Sequence, residues 1–338
     1  MNDRYSRQIL FSPIGSSGQK VLGQARVVIV GCGALGSVAA EQLVRAGVGS
    51  LKLIDRDFVE WSNLQRQSLY TEDDARLSLP KAVAAQAVLS SMNSLVQIEG
   101  IVKDLTFHNI GTLCRDSDLI VDGTDNFESR YLINDYSIQT GCKWVYGACL
   151  GSYGTSFAFR PGVTPCLQCL FPKPPKPGET ETCDTVGILA PVVHIVASYQ
   201  VAQALRILVG SDPIPKLLKV DVWEDCFKLI SVKGARDPKC SCCGSLSFRF
   251  LEGRERAYPV RLCGRNAVQV YPVRNGRLDL AQLARRLRSS GEVKFNKYMI
   301  RFQVNSYEIA IFSDGRSIVR GTENISEARA IYAKYIGS

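Results

Sequence analysis

A glycine-rich loop between a short apolar strand and a helix constrains this 338-residue chain more than any other feature. Residues 26–30 (RVVIV) are apolar and β-branched, which predicts a buried parallel strand. Residues 34–46 have helical spacing, and residues 51–54 predict a second strand that ends at Asp55. A strand, a helix and a second strand in this order form a βαβ unit, which requires a parallel sheet.

The same alternation continues through the first half of the chain. It predicts further helices at 81–92 and 127–140 and further strands at 96–102, 118–121 and 143–148. We therefore predict an α/β fold with a doubly wound, Rossmann-like sheet. Ligands of such sheets bind beyond the carboxyl ends of the strands, which is where Gly31, Asp55 and Asp125 lie.

The sequence changes in character after residue 244. Short strands alternate with helices near 279–289 and 326–335, which predicts a small α+β domain over residues 245–338 after a first domain of residues 1–244. Residues 1–244 carry 24 basic and 24 acidic side chains, whereas the rest carry 17 and 8, so the net charge of +9 lies in the second domain. This excess indicates either a well-solvated surface or a face that attracts an acidic protein or RNA.

The loop itself has the pattern G-x-G-x-x-G, formed by Gly31, Gly33 and Gly36. Glycines let the backbone approach a phosphate, and the helix that follows offers free amides and a positive dipole end. Asp55 comes nineteen residues after Gly36, at a spacing that suits a ribose hydroxyl. Taken alone, this pattern predicts a nicotinamide- or flavin-dependent oxidoreductase.

Cationic side chains at the neighbouring strand ends favour a triphosphate instead. Arg66 lies in the stretch 63–67 (NLQRQ) just past the second strand, and Lys81 opens the next helix. A nicotinamide cofactor does not need two extra cations there, whereas a triphosphate does. Asp125, at the end of its own strand, is suited to hold Mg²⁺ or to orient a phosphate. No P-loop pattern occurs in the chain.

Twelve cysteines with only two histidines indicate thiol or metal chemistry. Cys166 and Cys169 form one C-x-x-C pair, and Cys240 and Cys243 form another, which together suit a closed structural zinc site. Cys242 could replace Cys240 or Cys243 as a ligand, or remain free. Cys183 follows a proline-rich connector and is a candidate nucleophile, with a packing role as the alternative.

No apolar run approaches the length of a membrane helix, and the first residues lead into no signal-peptide core. We therefore predict a cytoplasmic protein without a membrane partner.

The order of these motifs along the chain, and the motifs themselves, closely resemble those of the ThiF/MoeB family, the prokaryotic relatives of ubiquitin-activating enzymes. The resemblance covers residues 1–244 and rests on the segments 4–8 (RYSRQ), 31–36 (GCGALG), 63–67 (NLQRQ), 124–126 (TDN) and 182–191 (TCDTVGILAP), with Asp55, Lys81 and both C-x-x-C pairs. It implies that the enzyme binds Mg·ATP and the Gly-Gly tail of a ubiquitin-fold sulfur carrier. The tail carboxylate attacks the α-phosphate, which gives an acyl adenylate and pyrophosphate ahead of thiocarboxylate formation.

The resemblance also implies roles for individual residues. Asp55 would hold the ribose, and Asp125 would bind magnesium. Arg7 would reach into the neighbouring subunit's site, which implies a homodimer. The phosphates would be bound by Asn63, Arg66 and Lys81, and the rest of the nucleotide site would comprise Gly31, Gly33, Ala34, Gly36, Asp57, Gln67 and Asn126.

Zinc would be bound by Cys166, Cys169, Cys240 and Cys243. Cys183 matches a loop cysteine that some members use in sulfur transfer. Ala34 departs from the third loop glycine of many members, which is a mild change at a helix start.

The second domain indicates which carrier protein and which biosynthetic pathway the enzyme serves. It has no rhodanese-like loop and resembles the extension of some ThiF proteins, which favours a ThiS-type carrier and thiamine synthesis. Sulfur would then come from a separate donor such as a cysteine desulfurase. A MoaD-like carrier for the molybdenum cofactor and a tRNA-thiolation carrier are the alternatives. A non-catalytic adaptor and a nicotinamide-dependent oxidoreductase are remote ones, and nucleic acid is not expected as a partner.

Overall fold

The computed structural model describes residues 3–175, 183–255, 260–262, 266–272 and 278–337. Backbone contacts divide the chain into two units. The first joins Met1–Pro175 to Gly187–Glu255, and the second joins Lys176–Val186 to Arg256–Ser338.

The helices and strands of the first unit alternate as the sequence predicts. The helices are α1 (Ser6–Leu10), α2 (Gly15–Leu22), α3 (Ala34–Ala46), α4 (Glu72–Arg76), α5 (Lys81–Met92), α6 (Ile110–Leu113), α7 (Phe127–Thr140) and α8 (Leu167–Leu170), followed after a helix of the second unit by α10 (Ala190–Leu208). The strands are β1 (Arg26–Val30), β2 (Ser50–Asp55), β3 (Gln97–Val102), β4 (Leu119–Asp122), β5 (Lys143–Leu150), β6 (Tyr153–Phe159), β7 (Lys216–Asp221) and β8 (Cys226–Ser231).

These eight strands form one mixed sheet in the order β3-β2-β1-β4-β5-β6-β7-β8. The five strands from β3 to β5 are parallel, and β6, β7 and β8 extend the sheet antiparallel. The chain leaves β1 towards β2 and β3, and then returns to place β4 on the other side of β1. This reversal is the topological switch point, where the carboxyl ends of β1 and β4 leave a crevice for a ligand. The predicted doubly wound sheet is confirmed.

Both faces of this sheet are covered, which explains why its central strands are continuously apolar. On one face, Val27 and Ile29 pack in a buried cluster with residues of α3, α5 and α10. On the other, Val28 and Val30 pack with residues of α6 and α7. Among the described residues, no helix is both long and apolar enough to span a membrane.

The second unit is a six-stranded antiparallel sheet with helices on one face. It contains α9 (Cys183–Val186), α11 (Leu280–Leu287) and α12 (Ile325–Tyr335), and the strands β9 (Val260–Leu262), β10 (Ala267–Val270), β11 (Glu292–Phe295), β12 (Met299–Val304), β13 (Tyr307–Phe312) and β14 (Ser317–Arg320). The strand order is β11-β12-β13-β14-β10-β9. Leu283 and Leu287 of α11 and Ile331 of α12 pack on Phe302 and Ile309 of the sheet. A small α+β unit of this kind is what the sequence predicts.

Candidate nucleotide site and cysteine cluster

The glycine loop follows β1 and leads directly into α3, whose N-cap is Gly33 and whose first residue is Ala34. Gly31 has a positive φ of +86°, and a Cβ on it would lie 2.6 Å from the Gly123 carbonyl oxygen. A Cβ on Gly36 would collide with the Gly31 carbonyl oxygen. Glycine is therefore required at Gly31 for the loops after β1 and β4 to approach each other, and at Gly36 for α3 to pack against the glycine loop.

Asp55 ends β2 and ties the two neighbouring loops together. Its Oδ2 accepts the Cys32 N–H at 2.6 Å, and its Oδ1 accepts the Asp57 N–H at 2.6 Å. Burial raises the pKa of the Asp55 carboxyl, and the Lys81 ammonium opposes that shift. Asp55 thus fixes the shape of the glycine loop, and each carboxylate oxygen keeps acceptor capacity for a further donor.

Lys81 is a buried cation at the first residue of α5. Its Nζ lies 3.7 Å from Asp57 Oδ2, and its main-chain N–H donates to the Asp57 carbonyl at 2.9 Å. A buried lysine needs an anionic partner, which here is the Asp57 carboxylate. Because Lys81 also opens a helix, a phosphate bound at this helix start can serve as a second anionic partner. The structure therefore brings Asp55, Asp57 and Lys81 together beside the loop after β1.

The segment after β2 adds polar side chains to the same edge. Asn63 is buried in a 3₁₀ turn (Trp61–Asn63), where its Oδ1 accepts the Glu60 N–H at 3.1 Å. Arg66 donates from Nη1 to the Ser62 carbonyl at 2.8 Å. Gln67 is only 4% exposed, and its Oε1 has no hydrogen-bond partner in the structure as described. A Cβ built on Gly33 would lie 3.9 Å from Gln67 Nε2, so this amide faces the glycine loop.

A buried ion pair that the sequence analysis does not identify holds the loop after β4. Arg130 Nε lies 3.1 Å from Asp122 Oδ2, and Arg130 Nη2 donates to the Thr124 carbonyl at 2.7 Å. Asp122 Oδ1 accepts both the main-chain N–H and the hydroxyl of Thr124, at 2.9 and 2.6 Å. Thr124 is therefore held from both sides immediately before Asp125.

We expect Arg130→Met to lower the free energy of unfolding by about 3–5 kcal/mol, because it leaves the buried Asp122 carboxylate unpaired. Urea denaturation measures this change. The double variant Asp122→Asn/Arg130→Met should recover much of the loss, because it removes the buried charge while Asn keeps an acceptor for Thr124. A double variant as unstable as Arg130→Met would contradict the charge-pair explanation.

Asp125 lies in the exposed loop between β4 and α7. The Asn126 side-chain amide is 3.5 Å from Asp125 Oδ1. Asn126 is also the N-cap of α7, since its Oδ1 accepts the Ser129 N–H at 2.9 Å. The capping hydrogen bond explains why an asparagine is at position 126. The neighbouring Asp125 carboxylate is exposed and of a type that holds a cation.

Arg7 lies on α1, near the end of the sheet opposite to the carboxyl ends of the parallel strands. The segment around it is anchored at the C-terminal ends of α3 and α5: Gln8 donates to the Ala46 carbonyl, and Arg4 donates to the Met92 carbonyl. The 13 residues of α3 span roughly 20 Å from the glycine loop to this end. Arg7 is exposed there and is not brought to the site of its own chain.

The four predicted zinc ligands come together. The Sγ atoms of Cys166, Cys169, Cys240 and Cys243 all lie within 4.8 Å of one another. Adjacent pairs are 3.8 Å (Cys166–Cys169), 3.6 Å (Cys166–Cys240) and 3.4 Å (Cys169–Cys243) apart. A tetrahedron with Zn–S bonds of about 2.3 Å has edges of about 3.8 Å, so this thiol set fits zinc.

Cys242 is fully buried and packs against Cys166, but its Sγ is not one of the four sulfur atoms of this set. Its thiol donates to Asp135 Oδ1 at 3.3 Å and accepts from Asn134 Nδ2 at 3.2 Å. Asp135 Oδ2 also accepts the Phe250 N–H at 2.9 Å, and burial raises the Asp135 pKa to about 6. Cys242 therefore links the cysteine cluster to α7, and the four-thiol set is formed without it.

The Cys183 side chain, and Cys263 altogether, lie outside the described residues. The backbone of Cys183 begins α9, which belongs to the second unit. The proposed nucleophilic role of Cys183 therefore stays a sequence-based prediction.

Comparisons with known proteins give a consistent result. The sequence model of the ThiF family matches residues 5–242. The sulfur carrier protein ThiS adenylyltransferase of Bacillus subtilis is 48% identical over 338 residues, which is all of both chains. The sulfur carrier protein adenylyltransferase of Thermus thermophilus is 40% identical over 72% of this chain and 90% of that protein. A crystal structure of E. coli MccB with ATP is 25% identical and superimposes with a TM-score of 0.62 over 72% of this chain and 75% of that one.

Proposed function

The chain belongs to the ThiF family, and from that premise we propose that it is an adenylyltransferase that activates a ubiquitin-fold sulfur carrier of the ThiS type. Mg·ATP and the C-terminal glycine carboxylate of the carrier are the reactants. The product is a carrier acyl adenylate, formed ahead of the thiocarboxylate that thiamine synthesis uses. Residues 1–244 perform this reaction, and residues 245–338 form the additional C-terminal domain.

The observation that carries this proposal is the polar lining opposite the glycine loop. Gln67 Oε1 is buried without a described partner, and Lys81 is a buried cation that lies 3.7 Å from Asp57 Oδ2 and acts electrostatically on Asp55. An orphaned buried acceptor is costly unless a ligand completes it, and the Lys81 ammonium has three donors to offer a phosphate. A nucleotide supplies what each needs, since it brings hydroxyl and amino donors together with phosphate oxygens.

The reaction is a displacement at phosphorus. A glycine carboxylate oxygen bonds to the α-phosphorus, and the bond to the pyrophosphate oxygen breaks, with both electrons leaving on pyrophosphate. Arg66 and Lys81 neutralise the phosphate charge, Asp55 accepts from the ribose, and Asn63 orients the phosphates. Asp125 would hold a magnesium ion, which would supply further charge neutralisation at the phosphates. Positioning and electrostatic stabilisation account for catalysis of this kind.

A homodimer completes the site. The segment around Arg7 is anchored at the far end of α3, a helix roughly 20 Å long that starts at the glycine loop, so Arg7 is assigned to the site of the second copy. Leu10 and Phe11, which adjoin it, are 73% and 61% exposed and offer an apolar contact for that copy. We place the enzyme in the cytoplasm, in keeping with ten described cysteines that form no disulfide. Zinc at the four-cysteine cluster is structural, and sulfur comes from a separate donor such as a cysteine desulfurase.

Exchange of radiolabelled pyrophosphate into ATP tests this function. We expect exchange that requires both magnesium and a carrier ending in Gly-Gly, with ThiS-like and MoaD-like carriers supplied in separate reactions. Exchange with the ThiS-like carrier alone supports the proposal in full. Exchange with the MoaD-like carrier alone would correct the pathway, and a zinc-loaded, folded enzyme that exchanges with neither would contradict the assigned activity.

A further inference from the structure

The residues that lie between the ligand cysteines are held by two adjacent side chains of α7, Asn134 and Asp135. They are Leu167 and Gln168 in the first C-x-x-C motif, and Ser241 and Cys242 in the second. Asn134 and Asp135 are both 0% exposed, so their polar atoms depend on protein partners. Those partners lie in both halves of the cysteine cluster, as the hydrogen bonds show.

Asn134 uses the two ends of its amide on the two motifs. Its Oδ1 accepts the Leu167 N–H at 2.8 Å, and Leu167 directly follows the ligand Cys166. Its Nδ2 donates to the Cys242 sulfur at 3.2 Å, and Cys242 directly precedes the ligand Cys243. An amide can accept from a main-chain N–H and donate to a sulfur at the same time, whereas an apolar side chain can do neither. Asn134 therefore fixes the position of Cys166 relative to Cys243.

Asp135 accepts hydrogen bonds from three parts of the chain. Its Oδ1 accepts the Cys242 thiol at 3.3 Å and Gln168 Nε2 at 3.1 Å, and its Oδ2 accepts the Phe250 N–H at 2.9 Å. Gln168 extends the contact to the second motif, because its Oε1 accepts the Ser241 hydroxyl at 2.8 Å. These partners all present donors to Asp135, which suits a carboxylate that acts only as an acceptor.

The helix that carries this pair is itself anchored to the sheet. Arg130 comes four residues before Asn134 and so lies on the same side of α7. Its guanidinium pairs with Asp122 of β4 and donates to the Gly147 carbonyl of β5 at 3.1 Å. Metal ligands keep their geometry best when the groups around them are hydrogen-bonded and lie on a packed helix or strand. Asn134 and Asp135 meet both conditions.

We propose that Asn134 and Asp135 are positioning residues of the zinc site, which set the relative placement of the four thiolates and thereby the affinity for the metal. Neither side chain belongs to the set of four ligand atoms. This inference rests on the zinc assignment made under the proposed function. It adds that the affinity depends on hydrogen bonds around the ligands as well as on the ligands themselves.

The test is the zinc affinity of the full-length protein, measured by competition with a chromophoric chelator at a temperature at which every variant is folded. Asn134→Ala and Asp135→Ala should each bind zinc roughly 10–100-fold more weakly than wild type. Cobalt(II) bound in place of zinc gives a second measurement, because its d–d absorption bands report the geometry of the thiolates. These bands should shift in both variants.

A milder variant covers the case in which the buried substitutions prevent folding. Ser241→Ala removes only the hydrogen bond to Gln168, and position 241 is exposed. It should weaken zinc binding by roughly two- to tenfold, the effect of one hydrogen bond.

Asn93→Ala is the matched control. Asn93 is also a 0% exposed asparagine of the first unit, and its Nδ2 donates to the Val44 carbonyl at 2.8 Å and to the Tyr5 hydroxyl at 2.9 Å. Its loss should lower the thermal midpoint as Asn134→Ala does, but the zinc affinity and the cobalt spectrum should stay those of wild type.

Wild-type zinc affinity in the folded Asn134→Ala and Asp135→Ala variants would overturn the proposal, as would an equal loss of affinity in Asn93→Ala. If neither buried variant folds, wild-type affinity in Ser241→Ala would overturn it. A wild-type protein that binds no zinc would instead refute the zinc assignment. Adenylation is measured separately by pyrophosphate exchange, so failure of the proposed reaction is distinguishable from both results.

Discussion

Replacing Asp125 with alanine is expected to lower carrier-dependent pyrophosphate exchange by about 1000-fold or more. Asp125 is the exposed carboxylate in the loop after β4, and the Asp122–Arg130 pair fixes the residue before it. In the proposed role, removal of its oxygens takes away a ligand for the magnesium ion that accompanies the triphosphate, while the Asp122–Arg130 pair keeps its direct contacts. The loss should appear at saturating ATP and carrier, because the metal stabilises charge that develops during the displacement.

Two further variants separate this role from a general disturbance of the site. Asp125→Asn keeps the size of the side chain and removes its charge, so it should be almost as inactive as Asp125→Ala. Asp73→Ala removes an exposed carboxylate of α4 whose only described ion pair is with Arg76, and it should exchange like wild type. Exchange by Asp125→Ala within about tenfold of wild type, with an unchanged magnesium requirement, would rule out Asp125 as the metal ligand.

Much of the first unit could be predicted because local signals and tertiary packing agree there. The bounds predicted for α3, α5 and α7 are those of the structure, since glycine, proline and asparagine mark their ends. Strands β6 and β11 are among the strands that are not predicted. β6 contains Gly154 and lacks a polar alternation, because the strand is buried on both faces, and β11 has only four residues with two charges on an exposed edge.

The candidate site was predictable where a residue ends a strand or opens a helix at this end of the sheet, as Asp55 and Lys81 do. Asp122 and Arg130 could not be paired from the sequence, because their contact depends on how α7 packs against the sheet. The sequence signal for this pair was Asp122 itself, an ionisable residue at the end of the otherwise apolar strand β4. The choice between Cys242 and Cys243 likewise required the structure, because adjacent residues on a turn point to different partners.

The second large effect is expected when a thiol of the four-cysteine cluster is removed. Cys240→Ser should remove the bound zinc almost completely and lower the thermal midpoint by about 10 °C or more. The cluster joins α8 to a segment more than 70 residues later in the chain, and Leu167 beside it packs in the core on the α7 face of the sheet. With one thiolate lost, these segments are held by their own packing, by the Asp135 network and by the Arg236 hydrogen bond to the Gly162 carbonyl. Metal content and calorimetry of the purified protein measure both changes.

Cys242→Ser is the decisive comparison, because the structure places that thiol on Asp135 rather than in the four-sulfur set. It should keep one zinc per chain, since a serine hydroxyl can also donate to the Asp135 carboxylate, and its thermal midpoint should fall by only a few degrees. Cys226→Ser, a half-buried thiol in β8 outside the cluster, should match wild type in both measurements. If Cys242→Ser loses its zinc while Cys240→Ser retains it, Cys242 is the fourth ligand and the assignment of the cluster is wrong.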